Sequence, residues 1–182
     1  MYFAIADEHY HHKNIIKLQN RPFKSLDEMH KTLINNHNKV VGHGDITVHA
    51  GDFCWLNDLD SAIELLKQLK GNHFMLKGNH DKNWFQKLAR AKEITIENYF
   101  GKKAIVRAVE PIFRVKKYYT ICHYPMLSWP GKVHLYGHTH DNRHDSEFRR
   151  SISAEVINYT PVRLPIPLID IKELDLAFAE RR

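Results

Sequence analysis

The sequence predicts an α/β protein whose sheet strands alternate with helices early and turn antiparallel late. Two observations predict this. Short apolar runs alternate with amphipathic stretches of helical period up to about residue 91, and from Ile94 onward strand-like alternation dominates. A third observation concerns where the chemistry falls. Five apolar runs lead into clusters of Asp, Asn and His: Tyr2–Ala6 into Asp7-Glu8-His9, Ile46–Ala50 into Gly51-Asp52, and Phe74–Leu76 into Gly78-Asn79-His80-Asp81. Tyr118–Cys122 leads into His123, and Val133–Tyr136 into Gly137-His138-Thr139-His140. In open α/β sheets ligands bind outside the carboxyl ends of the strands, which is where all five clusters would lie.

The elements follow in order. Residues 2–6 read as a buried strand. Residues 26–41 read as a helix, with Leu26, Met29, Leu33, Val40 and Val41 at helical spacing. Ser25 stands as its N-cap, and Glu28 follows three residues later. Residues 46–50 form the next strand. Residues 58–70 form a helix with Leu59, Ile63, Leu66 and Leu69 on one face, Asp58 or Asp60 near its start, and Gly71 at its end. A strand over 73–77 and a short helix over 83–91 come next. Alternation from Ile94 to Val115, broken at Gly101, predicts antiparallel strands. Residues 118–122, 132–136 and 152–157 are expected as further strands, and 171–180 as a terminal helix. No repeat or linker divides the chain, so 1–182 is expected to be a single domain.

The 182 residues suffice to bury a core without staples. Composition is ordinary for a globular protein, with 43% hydrophobic and 26% charged residues. No apolar run approaches the ~20 residues of a membrane span. The opening segment lacks a basic n-region and its apolar stretch is short, so a cytoplasmic protein without membrane partners is expected. Cys54 and Cys122 have no CxxC spacing and are expected to be free thiols in a reducing compartment, packed as small buried residues. The formal charge of +6 favours anionic partners. Basic residues are dispersed, so a dedicated nucleic-acid patch is not favoured.

Three oxygen donors (Asp7, Asp52, Asn79) and four imidazoles (His9, His123, His138, His140) stand at the five strand ends. Asp7 and His9, two apart, can reach one ion, and His138 and His140 can reach different ions. A carboxylate such as Asp52 has two oxygens and can bridge cations, while Gly51 allows close approach. This mixed donor set suits two ions such as Mn²⁺, Fe²⁺ or Zn²⁺ and argues against an all-oxygen Mg²⁺ or Ca²⁺ site. Such a pair clamps a phosphoryl group and activates water. His80, beside Asn79, is placed to act on phosphate or leaving group, with Asp81 fixing its tautomer.

These segments resemble the calcineurin-like metallophosphoesterase family: Asp-x-His, Gly-Asp, Gly-Asn-His-Asp, a lone His and Gly-His-x-His, in that order. The resemblance spans residues 2–141 and extends to about 162. It includes Asp7 to Ile16, Asn20-Arg21-Pro22-Phe23, Cys122-His123-Tyr124-Pro125 and Val156-Ile157-Asn158-Tyr159, which look like the small single-domain bacterial and phage members. The resemblance implies Asp7, His9, Asp52 and His140 on one metal, and Asn79, His123 and His138 on the other, with Asp52 bridging. It implies His80 as the histidine acting on the phosphate, and a four-layer sandwich of two mixed sheets flanked by helices. Glu8 and His11 depart from the family pattern and would add a charge and an imidazole near the site.

The remaining residues have two readings each. His12 fits a contact to ligand or substrate, or a solvated loop. Arg21 fits a bidentate phosphate contact or a buried ion pair. His43, His49 and His134 are expected to be structural. Trp55, Trp84, Trp129 and Tyr124 fit base stacking, with core or rim packing preferred. The function expected is a two-metal phosphoesterase acting on a small phosphorylated molecule or nucleotide. A nuclease with the same centre is the alternative. A catalytically silent metal-binding scaffold is less favoured, because His80 and Asp52 are both present.

Overall fold

A computed structural model describes residues 1–109, 111–168 and 170–179. The chain folds into two mixed sheets with helices flanking them. The larger sheet has the order β10-β1-β2-β3-β5-β4, formed by β1 (Tyr2–Ile5), β2 (Ile46–Ala50), β3 (Asn72–Leu76), β4 (Glu93–Glu97), β5 (Lys103–Ala108) and β10 (Val162–Leu164). Its strands β1, β2, β3 and β5 run parallel, and the edges β4 and β10 pair antiparallel. The smaller sheet has the order β6-β7-β8-β9, from β6 (Ile112–Val115), β7 (Tyr119–Cys122), β8 (Val133–Tyr136) and β9 (Arg149–Ser151).

Alternating side chains divide the core into two layers. Ala4, Val48, Ala50 and Leu76 of the larger sheet meet Val115, Ile121, Val133 and Leu135 of the smaller one. On the other face of the larger sheet, Met75 and Val106 pack under α2 (Leu26–Val40), α3 (Leu59–Leu66) and α4 (Asn83–Ala91), through Met29, Leu33, Leu66, Trp84 and Leu88. A short helix, α1 (Ile15–Leu18), was not foreseen. The last helix, α5 (Ile171–Ala179), sends Leu174 into the layer between the sheets. Its expected final residue, Glu180, lies outside the described residues. Both helix starts were set locally: Ser25 Oγ accepts from Glu28 N–H at 3.1 Å, and Asp58 Oδ1 from Ser61 N–H at 2.8 Å.

Three expectations need correcting. The second half is antiparallel at β4–β5, β6–β7 and the β10–β1 edge, whereas β7, β8 and β9 run parallel. Residues 152–157 are not a strand. They turn after β9, leaving Ala6 and Ser153 joined by a single bridge between the sheets. Strand β10 was missed because it is three residues long, followed by Pro165, and closes an edge. Among the described residues, no helix is long and apolar enough to cross a membrane.

The parallel arrangement matters for placement. β1, β2 and β3 end on one edge of their sheet, and β7 and β8 on one edge of theirs. The segments after β1 and β2 continue side by side, with His9 N–H bonded to Asp52 O at 3.0 Å and Tyr10 N–H to Phe53 O at 2.9 Å.

Beneath that edge lies a buried polar string. Glu8 Oε1 sits 2.5 Å from His49 Nδ1, and His49 Nε2 is 3.1 Å from His73 Nδ1. Burial raises the Glu8 carboxyl to about 8 and lowers His49 to about 3. Glu8 turns its carboxyl to His49, away from the metal-ligand cluster, and anchors the first loop inward. Removing one partner strands the other in a dry site. H49L should lower the unfolding free energy by about 1–3 kcal/mol, measured by urea titration. The E8Q/H49L double variant should lose less than the sum of the two single variants, because the two residues share one interaction.

Candidate metal centre

All seven expected donors gather at the strand ends. Asp7, His9 and His140 offer atoms within 4.8 Å of one another, as do Asp7, Asp52 and His123. Asp7 belongs to both groups, and Asp52 Oδ2 faces a histidine of each, 3.6 Å from His9 Nε2 and 3.5 Å from His123 Nε2. Asn79 Oδ1 is 2.9 Å from both His123 Nε2 and His138 Nδ1. The carboxylate expected to bridge thus stands within reach of two of the expected histidines.

The chain fixes which atoms face inward. His123 Nδ1 is 3.0 Å from Ala50 O, and His140 Nδ1 is 3.0 Å from Glu155 Oε1. A ring nitrogen facing an acceptor carries the proton, so each ring turns its Nε2 lone pair to the centre. Asp7 Oδ2 accepts from Ser153 Oγ at 2.6 Å and His138 N–H at 2.9 Å. Asp7 Oδ1 and His9 Nε2 are buried with no hydrogen-bond partner. A neutral His123 then points a lone pair at oxygen acceptors on Asn79 and Asp52. Buried acceptors facing acceptors are costly unless a cation or proton stands between them. This donor set fits divalent cations.

Electrostatics agree with that fit. Burial raises Asp7 to about 7, and burial followed by its cationic and imidazole neighbours drives His9 strongly down. Burial also lowers His123 and His138. For His140 burial pulls the pKa down, but its bond to Glu155 and the nearby Asp7 outweigh this and leave it raised. Most of the imidazoles are therefore neutral and already able to donate a lone pair.

Backbone conformation is the feature that no motif count predicts. Asp7, His9, Asp52, His138 and His140 all have positive φ, between 52° and 71°. Left-handed conformation is uncommon for residues with a Cβ, and it clusters at functional sites. The glycines beside them are there for space. A Cβ on Gly78 would meet Asp52 Oδ1 at 2.1 Å, and one on Gly137 would meet Ala6 Cβ at 2.6 Å. The loops pack too closely for any side chain at either position.

One expected role changes, and one pair of readings is decided. Asp81 does not hold the His80 ring. Its carboxylate accepts from the backbone N–H groups of Asp52 (2.9 Å), Phe53 (3.1 Å) and Gly78 (2.8 Å), tying the second and third strand-end loops together. Arg21 does not face substrate. It is 4% exposed and its donors are taken by Glu155 Oε1, the carbonyls of Asp7 and Glu8, and Met29 Sδ. Arg21 instead clamps the Asp7 loop and holds Glu155 against His140. Glu155, Ser153 and the Ala50 carbonyl were missed, since their contacts join residues far apart in the chain. An acidic residue alone in the segment Ile152–Ile157 was the available signal for Glu155.

His80 is half-buried, with its ring 5.6 Å from that of His9 and its backbone N–H bonded to Asp52 Oδ1 at 2.7 Å. His12 lies 5.3 Å from His9, ring to ring, on the rim of the centre. His11 is exposed and packs on His30 instead. His43 packs on Phe100, and His134 is bonded within the smaller sheet and its loop, as expected of structural residues. Trp84 is core and Trp129 packs near His134, whereas Trp55 and Tyr124 stand on the rim against His12 and His138. Cys54 and Cys122 are buried free thiols, and burial pushes Cys54 well above its usual range, which makes it a poor nucleophile.

No family model matches the chain. A protein of unknown function from Aquifex aeolicus, AQ665, has a crystal structure that aligns with TM-score 0.60 over 97% of this chain and 98% of its own. At 24% identity this likeness speaks for the fold. The uncharacterized protein MJ1445 of Methanocaldococcus jannaschii is 37% identical over 180 residues, covering 90% of this chain and 87% of its own length. The chain therefore belongs to the same family as MJ1445.

Proposed function

We propose that this protein is a dinuclear-metal-dependent phosphoesterase acting on a small phosphorylated molecule or nucleotide. The observation that carries the proposal is the position of Asp52 Oδ2 between His9 Nε2 and His123 Nε2, in a cluster of buried acceptors. One ion would be held by Asp7, His9, Asp52 and His140, and the other by Asp52, Asn79, His123 and His138. Mn²⁺ suits this set best, with Fe or Zn²⁺ also compatible. The order of the strand-end motifs, which resembles that of calcineurin-like metallophosphoesterases, supports the same reading. We place the protein in the cytoplasm on the strength of its free, buried thiols.

When bound, such an ion pair neutralises phosphoryl oxygens and lowers the pKa of a coordinated water. The protein's own contribution is positioning. Glu155 and the Ala50 carbonyl orient His140 and His123, while Ser153 holds Asp7. Asp81 locks the loop that presents Asp52 to the loop that presents Asn79 and His80. His80 is not a ligand in this scheme. It donates a hydrogen bond to a phosphate oxygen or a proton to the leaving alkoxide, where charge develops.

Three outcomes follow. The Mn²⁺-loaded protein should hydrolyse a generic phosphomonoester, a generic phosphodiester or a cyclic nucleotide; two bound metals with no turnover of any ester would defeat the proposal. D52N should lose at least a thousandfold in kcat and much of its metal occupancy, whereas H80A should keep both metals and lose about 10²–10⁴-fold in kcat, a typical general-acid contribution. Mn²⁺ uptake should also release protons. Asp7 titrates near 7 without a cation beside it and must be ionised to bind one, so metal affinity should rise with pH up to about 7 and level off above it. Calorimetry in buffers of different ionisation heat should show proton release at pH 6 that shrinks by pH 8.

A further inference from the structure

The rim of the centre carries a cation that the phosphoesterase reading leaves unused. Trp55 leaves the Asp52 loop with its backbone N–H bonded to Tyr10 O at 2.8 Å. The His12 ring stacks on its indole at 4.1 Å and 9°. Lys82 Nζ lies 4.0 Å from the centroid of the Trp55 ring, and the His80 ring is 5.2 Å from it. Lys82 is half-buried, and among the described residues no carboxylate pairs with it. A lysine stem ordinarily samples solvent, but here the aromatic face steadies the ammonium one ring beyond the imidazole assigned to the scissile phosphate.

We propose that Lys82, steadied by Trp55, binds a second phosphate of the substrate, next to the one that is cleaved. The substrate class is then a compound with at least two phosphates, joined as an anhydride in a nucleoside diphosphate or separated by a sugar in an oligonucleotide. An ammonium is a compact point charge that meets phosphate oxygens from several directions, so it accommodates either spacing. The inference rests on the phosphoesterase reading of the adjoining metal centre.

The test is calorimetric binding to Mn²⁺-loaded H80A protein, in which turnover is suppressed. The probes are AMP, ADP and the 5′-phosphorylated dinucleotide pApA. ADP or pApA should bind about tenfold tighter than AMP. Adding K82M should abolish that preference and adding K82R should keep it. Preference for ADP assigns the anhydride, and preference for pApA assigns the oligonucleotide end. Equal affinity for all three, or a preference that survives K82M, would overturn the proposal. Failure of the phosphoesterase reading is separable: wild-type protein would then cleave no ester, even where a Lys82-dependent preference is measured.

Discussion

Acceptors facing acceptors around the buried Asp7, His9, Asp52 and His123 are the constraint on which the rest of this structure depends. Asp7 Oδ1 and His9 Nε2 have no donor, and Asp52 Oδ2 stands within 3.6 Å of two imidazole nitrogens. A carboxylate in such a place must be protonated, as the rise of Asp7 toward 7 reflects, or meet a cation. The surrounding chain leaves room for the second outcome, which is the one we propose. Ser153 and the His138 N–H occupy one oxygen of Asp7 and leave the other to face the centre. Backbone and carboxylate acceptors on the far nitrogens of His123 and His140 do the same for those rings.

Holding such a cluster together calls for support from behind. Arg21 binds two loop carbonyls and Glu155, so one buried guanidinium fixes both the Asp7 loop and the residue that orients His140. Asp81 does the same for the neighbouring loops with three backbone bonds. Removing either would leave several buried groups without partners. Positive φ at five of the donors and the closeness of Gly78 and Gly137 belong to the same economy of space. The strands deliver the residues to one edge, and the loops turn back sharply enough to aim them at one point.

Much of this was legible in the sequence, for a physical reason. Helix starts at Ser25 and Asp58 are local interactions, and strand-end motifs follow apolar runs whose burial is a local property. The donors themselves stood out because Asp, Asn and His sit at the ends of those runs. What was not legible depends on distant partners. The Arg21–Glu155 pair joins residues 134 apart, so the arginine read equally well as a phosphate ligand. Asp81 next to His80 suggested a side-chain partner, yet its partners are backbone groups, two of them 28 and 29 positions away. The segment 152–157 has strand-like composition, but it turns so that Ser153 and Glu155 reach Asp7 and His140. Lys82 carries no motif at all; only its placement over Trp55 draws attention to it.

The central claim is that two cations share Asp52. The most direct measurement is an anomalous-diffraction map of crystals grown with Mn²⁺. The account predicts two peaks about 3.5–4 Å apart, as in other two-metal sites. One should contact Asp7, His9 and His140, the other Asn79, His123 and His138, with an Asp52 oxygen between them. A single peak, or two peaks that Asp52 does not touch, would contradict it.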